Sequence, residues 1–474
     1  MANQVGLRSE RGPILLALML ASFLIAIDST ILATAVPTIV AELGGFAQFP
    51  WLFSIYLLAQ AASVPVYAKL CDTVGRKPIM IAGIGLFLVG SVASAMAWNM
   101  TALIVFRAVQ GLGAGAITPT SMTIAGDIYT VRERATAQAY LASVWAISSV
   151  AGPTLGGLFA QFLSWRWIFW VNVPLSLLAL FMLLRAYHER FERHRRRIDV
   201  AGATLLTSAL VLLVLGVLEG GQGWAWGSWQ SVGCFGLGAA LLVVFALAER
   251  RAADPVLAPW VFGSRVVVTT SLAALGVGAV LIGLTSFVPT FLESTAGATP
   301  LLAGLAVAAL SLGWPLSGGL AGRFYLRIGF RATAMIGSVL AVVGAVLLVS
   351  FASAPSLVLT AVACFVVGLG LGLVANPALI AAQSSVDLRR RGVVSGTNML
   401  ARSVGSSVGV AVYGAVANAV IGASGGAQHP AAVQAGSIAV FIGVAISAVL
   451  LVGCTVLIPH VRIVDEPGAE AEAA

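Results

Sequence analysis

Long apolar runs recur from one end of this chain to the other, and they constrain its fold more than any other feature. A helix needs about twenty consecutive apolar residues to cross a bilayer. The runs between charged or turn-rich breaks predict fourteen spans: 13–33, 50–69, 79–98, 101–125, 135–159, 167–185, 199–218, 229–248, 266–291, 299–322, 332–352, 357–384, 393–419 and 433–457. Only 9% of the 474 residues are charged and the mean hydropathy is +1.00, whereas soluble domains are roughly one-quarter charged. No soluble domain fits between the runs. The chain is predicted to be an all-α polytopic membrane protein. Arg8, Arg11 and the run ending at Ala33-Thr34-Ala35 imitate a signal peptide, but the run is too long for one and reads as a retained first span.

Charge placement orients the spans. With the N-terminus inside, only Arg107, Arg166 and Arg402 of the 26 Lys and Arg fall outside predicted cytoplasmic segments. That pattern follows the positive-inside rule and puts both termini in the cytoplasm. The net charge of +8 is then topological, and no nucleic-acid partner is expected. The basic run from His188 to Arg197 reads as a solvated linker or as a contact for lipid headgroups, and the acidic tail from Asp465 to Ala474 as disordered.

Several chemistries are excluded at this stage. Cys71, Cys234, Cys364 and Cys454 are isolated, so free thiols are expected and no metal spacing exists. His188, His194, His429 and His460 all lie outside the spans, which leaves no buried His/Asp or Ser/His set for an enzyme. No nucleotide-binding GxxxxGKS/T occurs, so a gradient and not ATP supplies the energy, and no cofactor is expected.

The chain also repeats itself. Val36-Pro37-Thr38 recurs as Val288-Pro289-Thr290, Gly75 as Gly329, and the ladder Gly111, Gly113, Gly115, Pro119 as Gly368, Gly370, Gly372, Pro377, with Asp127 and Asp387 closing the two helices. Two related halves in parallel orientation are the plan of many transporters. The predicted division is residues 1–185 as a first six-helix bundle, 186–265 as a linker with two inserted spans, 266–458 as a second bundle and 459–474 as the tail. Trp224, Trp226 and Trp229 in the insertion read as an interfacial aromatic belt.

Asp28 is the one acid deep inside a span. A carboxylate there is costly and is functional by default, as a group able to take up and release a proton; the alternative is an acid paired for packing. It stands about fifteen residues in from the inner end, roughly 22 Å, and Arg107 about six residues from the outer end, roughly 9 Å. Across a core of about 30 Å they share one depth and can meet if spans 1 and 4 are neighbours. Arg402, with Asn398 and Ser406 on its face of the helix, either lines a cavity or snorkels to the inner surface. Aromatic, amide and charged side chains suited to amphipathic or cationic ligands are Phe23, Trp51, Tyr56, Gln60, Gln110, Trp145, Trp314, Asn376, Asn398 and Arg402. Each of them has packing or lipid exposure as its alternative.

Five stretches taken together resemble the major facilitator superfamily, and within it the fourteen-span drug:proton antiporters. They are Asp28-Ser29-Thr30-Ile31, Leu70-Cys71-Asp72-Thr73-Val74-Gly75-Arg76-Lys77, Arg107-Ala108-Val109-Gln110-Gly111, Ala151-Gly152-Pro153-Thr154-Leu155-Gly156-Gly157, and Trp165-Arg166-Trp167-Ile168-Phe169 followed by Asn172 and Pro174. The resemblance implies two six-helix bundles with two inserted central helices, a monomer in the cell membrane, and export of amphipathic small molecules in exchange for protons by alternating access. Export of one specific metabolite or lipid, or proton symport, are the alternatives. It implies that Asp28 and Arg107 couple the proton. It makes Asp72, Gly75, Arg76 and Lys77 a latch between the halves; Asp127, at the inner end of span 4 and at similar depth, is a partner within reach of Arg76. It also places Gly152, Pro153, Gly156 and Gly157 at the interface between halves. The chain departs from the pattern at Ala68, Cys71 and Ser148, and at Leu326 in the repeated loop.

Overall fold

The computed structural model describes residues 6–7, 9–129, 131–189, 200–220, 223–250, 260–386, 391–426 and 429–460; the side chains at 65, 68–69, 72–73, 126, 131–132, 134–136, 138–139, 142, 146, 149, 203 and 391–392 lie outside that description. The chain is helical throughout. The first apolar run forms α1 (Gly12–Ile31), which passes through a 3-10 turn (Leu32–Ala35) into α2 (Val36–Leu43). Then come α3 (Phe49–Val74), α4 (Arg76–Ala95), α5 (Met100–Ile128), α6 (Val131–Phe162), α7 (Trp167–Trp170) and α8 (Asn172–Ala186). The insertion supplies α9 (Val200–Glu219), α10 (Trp229–Glu249) and α11 (Trp260–Gly263). The rest is α12 (Arg265–Ala296), α13 (Pro300–Ile328), α14 (Phe330–Phe351), α15 (Leu357–Ser384), α16 (Arg391–Ala423) and α17 (Pro430–Val456).

Among the described residues twelve helices are long and apolar enough to cross a membrane, against the fourteen expected. The two expected spans outside that set, 50–69 and 199–218, are helical as α3 and α9. In α9 the apolar stretch found is Thr204–Glu219, and α3 carries Gln60 and Lys69 within its length. The first span is longer than expected because Pro37 sits in the first turn of α2, where its missing N–H costs nothing. In the repeat the matching Pro289 lies inside the unbroken α12.

The packing order of the first six spans recurs in the last six. Helix α1 lies on α6 and α8, α5 lies on α3 and α4, and α4 touches α8; likewise α12 lies on α16 and α17, α15 on α13 and α14, and α14 touches α17. The glycine ladder makes this close packing possible. A Cβ at Gly111 or Gly115 would stand 2.4 and 2.7 Å from the carbonyl oxygens of Tyr56 and Gln60 on α3, and one at Gly113 2.3 Å from the Phe87 nitrogen on α4. Gly368 and Gly372 meet Leu310 and Trp314 on α13 in the same way, and Gly370 meets Ala341 on α14. Alternate glycines thus serve two different neighbours.

The two groups of helices meet through α6 against α13 and α16 against α3. Hydrogen bonds, a ring pair and tight glycine approaches between pairs of described residues join them toward the predicted outer end. Leu301 N–H donates to Gln161 Oε1 (3.4 Å), Asn418 Nδ2 to the Ala47 carbonyl (3.0 Å) and Ser54 Oγ to the Ser407 carbonyl (3.4 Å). The Phe49 and Phe287 rings meet edge to face at 5.2 Å. Helix α9 lies across α3 and α16, covering the seam, and α10 packs on α9 outside it, with Trp229 80% exposed.

Candidate functional site

Asp28 and Arg107 do meet. Arg107 Nη1 donates to Asp28 Oδ2 at 2.6 Å, and both residues are buried, at 1% exposure or less. The site is built from five helices of the first half. The same guanidinium nitrogen donates to Gln110 Oε1 (2.7 Å), one turn along α5, while its Nε donates to the Leu52 carbonyl of α3 (3.3 Å). Gln110 Nε2 in turn donates to Asp28 Oδ1 (2.8 Å) and to Ser91 Oγ of α4 (2.7 Å). Asn172 Nδ2, opening α8, donates to Asp28 Oδ1 (3.3 Å) and Ser91 Oγ (3.1 Å). The Arg107 guanidinium lies over the Tyr56 ring, 4.1 Å from its centre. The carboxylate faces the core of the first bundle and not the seam. On the opposite side of α1, Thr30 Oγ1 donates to the Ser148 carbonyl of α6.

The loop after α3 is shorter than the sequence suggests. Residues up to Val74 stay helical, because no Gly or Pro lies between Pro65 and Gly75, and Gly75 alone makes the turn at φ +112°. Cys71 is therefore a buried helical residue and not a loop one. Arg76 Nε stands 3.0 Å from Asp127 Oδ2, a pair between α4 and α5 that lies wholly within the first half. Glu189, which sequence reasoning missed, accepts from the Arg76 and Lys77 backbone N–H groups at 2.6 and 3.0 Å and so caps α4 from beyond α8. Burial, helped by Glu189 and Asp127, pushes the neighbouring Tyr187 hydroxyl well above the usual phenol range, so it stays protonated. The side chain of Asp72, like Asp387, lies outside the described residues.

The glycines of α6 divide between two partners. Gly152 and Gly156 press on α1, where a Cβ would stand 1.9 Å from Thr30 Oγ1 and 2.2 Å from the Ile31 carbonyl. Gly157 and Pro153 face the other half. A Cβ on Gly157 would meet the Pro300 carbonyl at 2.5 Å, and one on Gly304 of α13 would meet the Pro153 carbonyl at 2.3 Å. Only part of the expected interface motif is at the interface, since a helix presents i and i+4 to one neighbour and i+1 and i+5 to the next.

The candidate cavity residues also separate. Tyr56 and Gln110 are buried in the Arg107 cluster, and Asn398 is tied to the Thr270 carbonyl of α12 at 3.2 Å. Trp51 is covered by the insertion, its Nε1 donating to Glu219 Oε1 of α9 at 3.2 Å. Those four are withdrawn from any cavity in this state. Phe23, Gln60, Trp314 and Arg402 are partly exposed, and Trp145 and Asn376 exposed. Among the described residues no group of His, Cys, Asp or Glu is arranged to hold a metal ion, and the four cysteines are free.

Two repeated helix groups sealed at one end, with one ion pair in the core of the first, define a polytopic membrane transporter. Residues 18–410 match the Major Facilitator Superfamily, and the chain belongs to that family of transporters, which are not enzymes. It is 34% identical over 394 residues to "Multidrug resistance protein 3" of Bacillus subtilis, covering 83% of this chain and 77% of that protein. It is 31% identical over 391 residues to "Efflux pump dotC" of Dothistroma septosporum, covering 81% and 67%. Among solved structures it superposes on an auto-inhibited POT family peptide transporter with TM-score 0.71 at 16% identity, over 96% and 98% of the two chains. A bacterial homologue of the lysosomal transporter Spinster gives 0.67 at 19%, over 96% and 97%. These two likenesses concern the fold alone.

Proposed function

We propose that this transporter exports amphipathic small molecules in exchange for protons by alternating access, with Asp28 carrying the proton and Arg107 answering its charge. The observation that carries the reading is the set of partners around the carboxylate. A buried ion pair is a costly way to hold helices together. Here the acid is surrounded by groups able to bond to it in either protonation state. The Asn172 amide is the clearest case. Its Nδ2 donates to Asp28, while its Oδ1 is buried without a partner, so turning the amide over would offer an acceptor to a protonated acid.

The direction and cargo of transport rest on the relatives, which are named for multidrug resistance and efflux. The rest of the reading follows from the sequence. All fourteen apolar helices cross the membrane, α3 and α9 included, since at 1.5 Å per residue the 26 residues of α3 span about 39 Å. Residues 1–185 and 266–458 are the two bundles and 186–265 the inserted unit. Both termini are cytoplasmic in the cell membrane, the protein acts as a monomer, and the proton gradient replaces any cofactor. The sealed outer end fits the state in which cargo is loaded from within.

The test is efflux of a cationic dye from proteoliposomes under an imposed pH gradient. Wild type should respond to the gradient, whereas Asp28→Asn should bind dye, assemble normally and lose gradient-driven efflux. Full gradient-driven efflux by the Asn variant would remove Asp28 from the mechanism.

A further inference from the structure

The second half has no acid matching Asp28, but α12 holds a carboxylate of its own. Glu293 is partly exposed, but its Oε1 is buried without a hydrogen-bond partner, and no salt bridge between described residues involves it. Helix α12 is packed by α2, the Leu32–Ala35 turn, α11, α13, α15, α16 and α17, and their charges are few. Glu42 on α2 is taken by Arg166 and Trp165. Arg323 and Arg327 stand at the far end of α13, Arg391 and Arg402 toward the start of α16, and α11, α15 and α17 carry none.

Two hydroxyls continue the line. Ser286 and Thr290 precede Glu293 by seven and three residues, a spacing that puts all three on one stripe of the helix. Ser286 is 0% and Thr290 4% exposed, and neither hydroxyl has a partner. Thr285 and Thr295 on the same helix behave differently, bonding back to the Leu281 and Phe291 carbonyls. Three unspent buried polar atoms in a row need an explanation, and water or an exchangeable proton supplies one. The stripe runs beside the sealed seam, since Phe287 is the residue that meets Phe49.

The repeat sharpens the contrast. Aligning Val36-Pro37-Thr38 with Val288-Pro289-Thr290 sets Glu293 one position before the match of Glu42. The first-half acid is held by an arginine and a tryptophan, and the second-half acid by nothing described.

We infer that Glu293, with Thr290 and Ser286, is a second proton site that licenses closure of the outer end. An isolated charge is too costly to enclose, so the end seals once Glu293 has formed an O–H bond with a proton taken from outside water. When that bond breaks, the proton leaves along water held by Thr290 and Ser286, and the carboxylate is restored. This deepens the proton-coupled reading and rests on it.

The experiment counts protons with a pH-sensitive dye as a cationic dye is transported in proteoliposomes. Closure is followed by the distance between spin labels at Ala41 and Ala296. A wild type indifferent to the pH gradient would sink the proton-coupled reading and this inference together. If wild type responds, Glu293→Gln should keep its dye affinity, lose part of the proton count, and close the outer end regardless of outside pH. Glu293→Asp should keep both properties. A Gln variant with wild-type proton count and wild-type pH dependence of closure would overturn the inference and leave Asp28 standing. Loss of dye affinity with the proton count intact would also overturn it, making Glu293 a cargo contact. If the Gln variant does not assemble, Ser286→Ala with Thr290→Val reads the same quantities. That pair should slow proton exchange, and unchanged exchange there overturns the inference equally.

Discussion

At the residue scale the central question is what satisfies Arg107 when Asp28 is neutral, because a guanidinium keeps its charge under any cellular condition. The Leu52 carbonyl, Gln110 Oε1 and the Tyr56 ring stay in place for it. Asp28 without Arg107 is worse placed, being left a buried charge with only amide donors. Removing one partner of such a pair costs about 3–5 kcal/mol. Arg107→Ala should therefore lower unfolding stability in detergent markedly, and Asp28→Asn combined with Arg107→Ala should recover most of the loss. A double variant as unstable as the sum of the singles would show that the two charges do not depend on each other. Arg107→Lys, keeping the charge but not the planar fork, should retain partial gradient-driven efflux. Shared depth made this pair legible in the sequence. Ser91 and the contacts of Asn172 and Gln110 were not, because a single small polar residue in an apolar helix carries no signal of which neighbour it faces.

Among the elements, the turn between α3 and α4 shows what a motif conveys and what it hides. The glycine and the two basic residues after it predict a tight inner turn, and Gly75 makes one. The cap on α4 comes from Glu189, 113 residues beyond Arg76, a distance at which sequence spacing says nothing. The first span and α3 run longer than the apolar runs predict for a local reason: Pro37 falls where a helix tolerates it, and no Gly or Pro lies between Pro65 and Gly75. The Arg76–Asp127 pair is half-exposed, with side chains 21% and 44% accessible, and such pairs are worth about 0–1 kcal/mol. That is too little to hold the fold and enough to bias two states roughly fivefold. Neutralising Arg76 or Asp127 should slow dye transport while leaving dye affinity unchanged, and exchanging the two residues should restore part of the rate. A swapped pair no faster than the slower single variant would show the contact to be incidental. Glu189→Ala should cost about 1 kcal/mol, as lost helix caps do, seen as a small fall in melting temperature; an unchanged value would mean that water replaces the cap.

For the whole molecule, the sequence conveys two similar halves but not where they touch. The repeat fixes which helices correspond, and the crossed contacts of α6 with α13 and α16 with α3 follow that symmetry. Helix α9 is apolar on all sides, so no polar face in the sequence reveals that it covers the seam and meets Trp51. What seals the outer end is backbone against backbone at Gly157 and Gly304, where an added Cβ would stand 2.5 Å from the Pro300 carbonyl and 2.3 Å from the Pro153 carbonyl. Backbone cannot swing aside as a side chain can. Overpacking there should cost about 1–3 kcal/mol, and only in the sealed state, because the clash vanishes once the halves part. A bias of that size moves a two-state population about 5- to 150-fold. Gly157→Ala should thus shift the protein toward an open outer end without unfolding it. Spin labels at Ala41 and Ala296, with the four native cysteines replaced, should show a longer distance growing at the expense of the shorter one. Gly85→Ala is the control, since a Cβ there meets nothing within 4 Å, and its distances should match wild type. If Gly157→Ala matches wild type as well, the α6–α13 approach does not govern closure, and the seal must be assigned to α3 and α16 beneath α9.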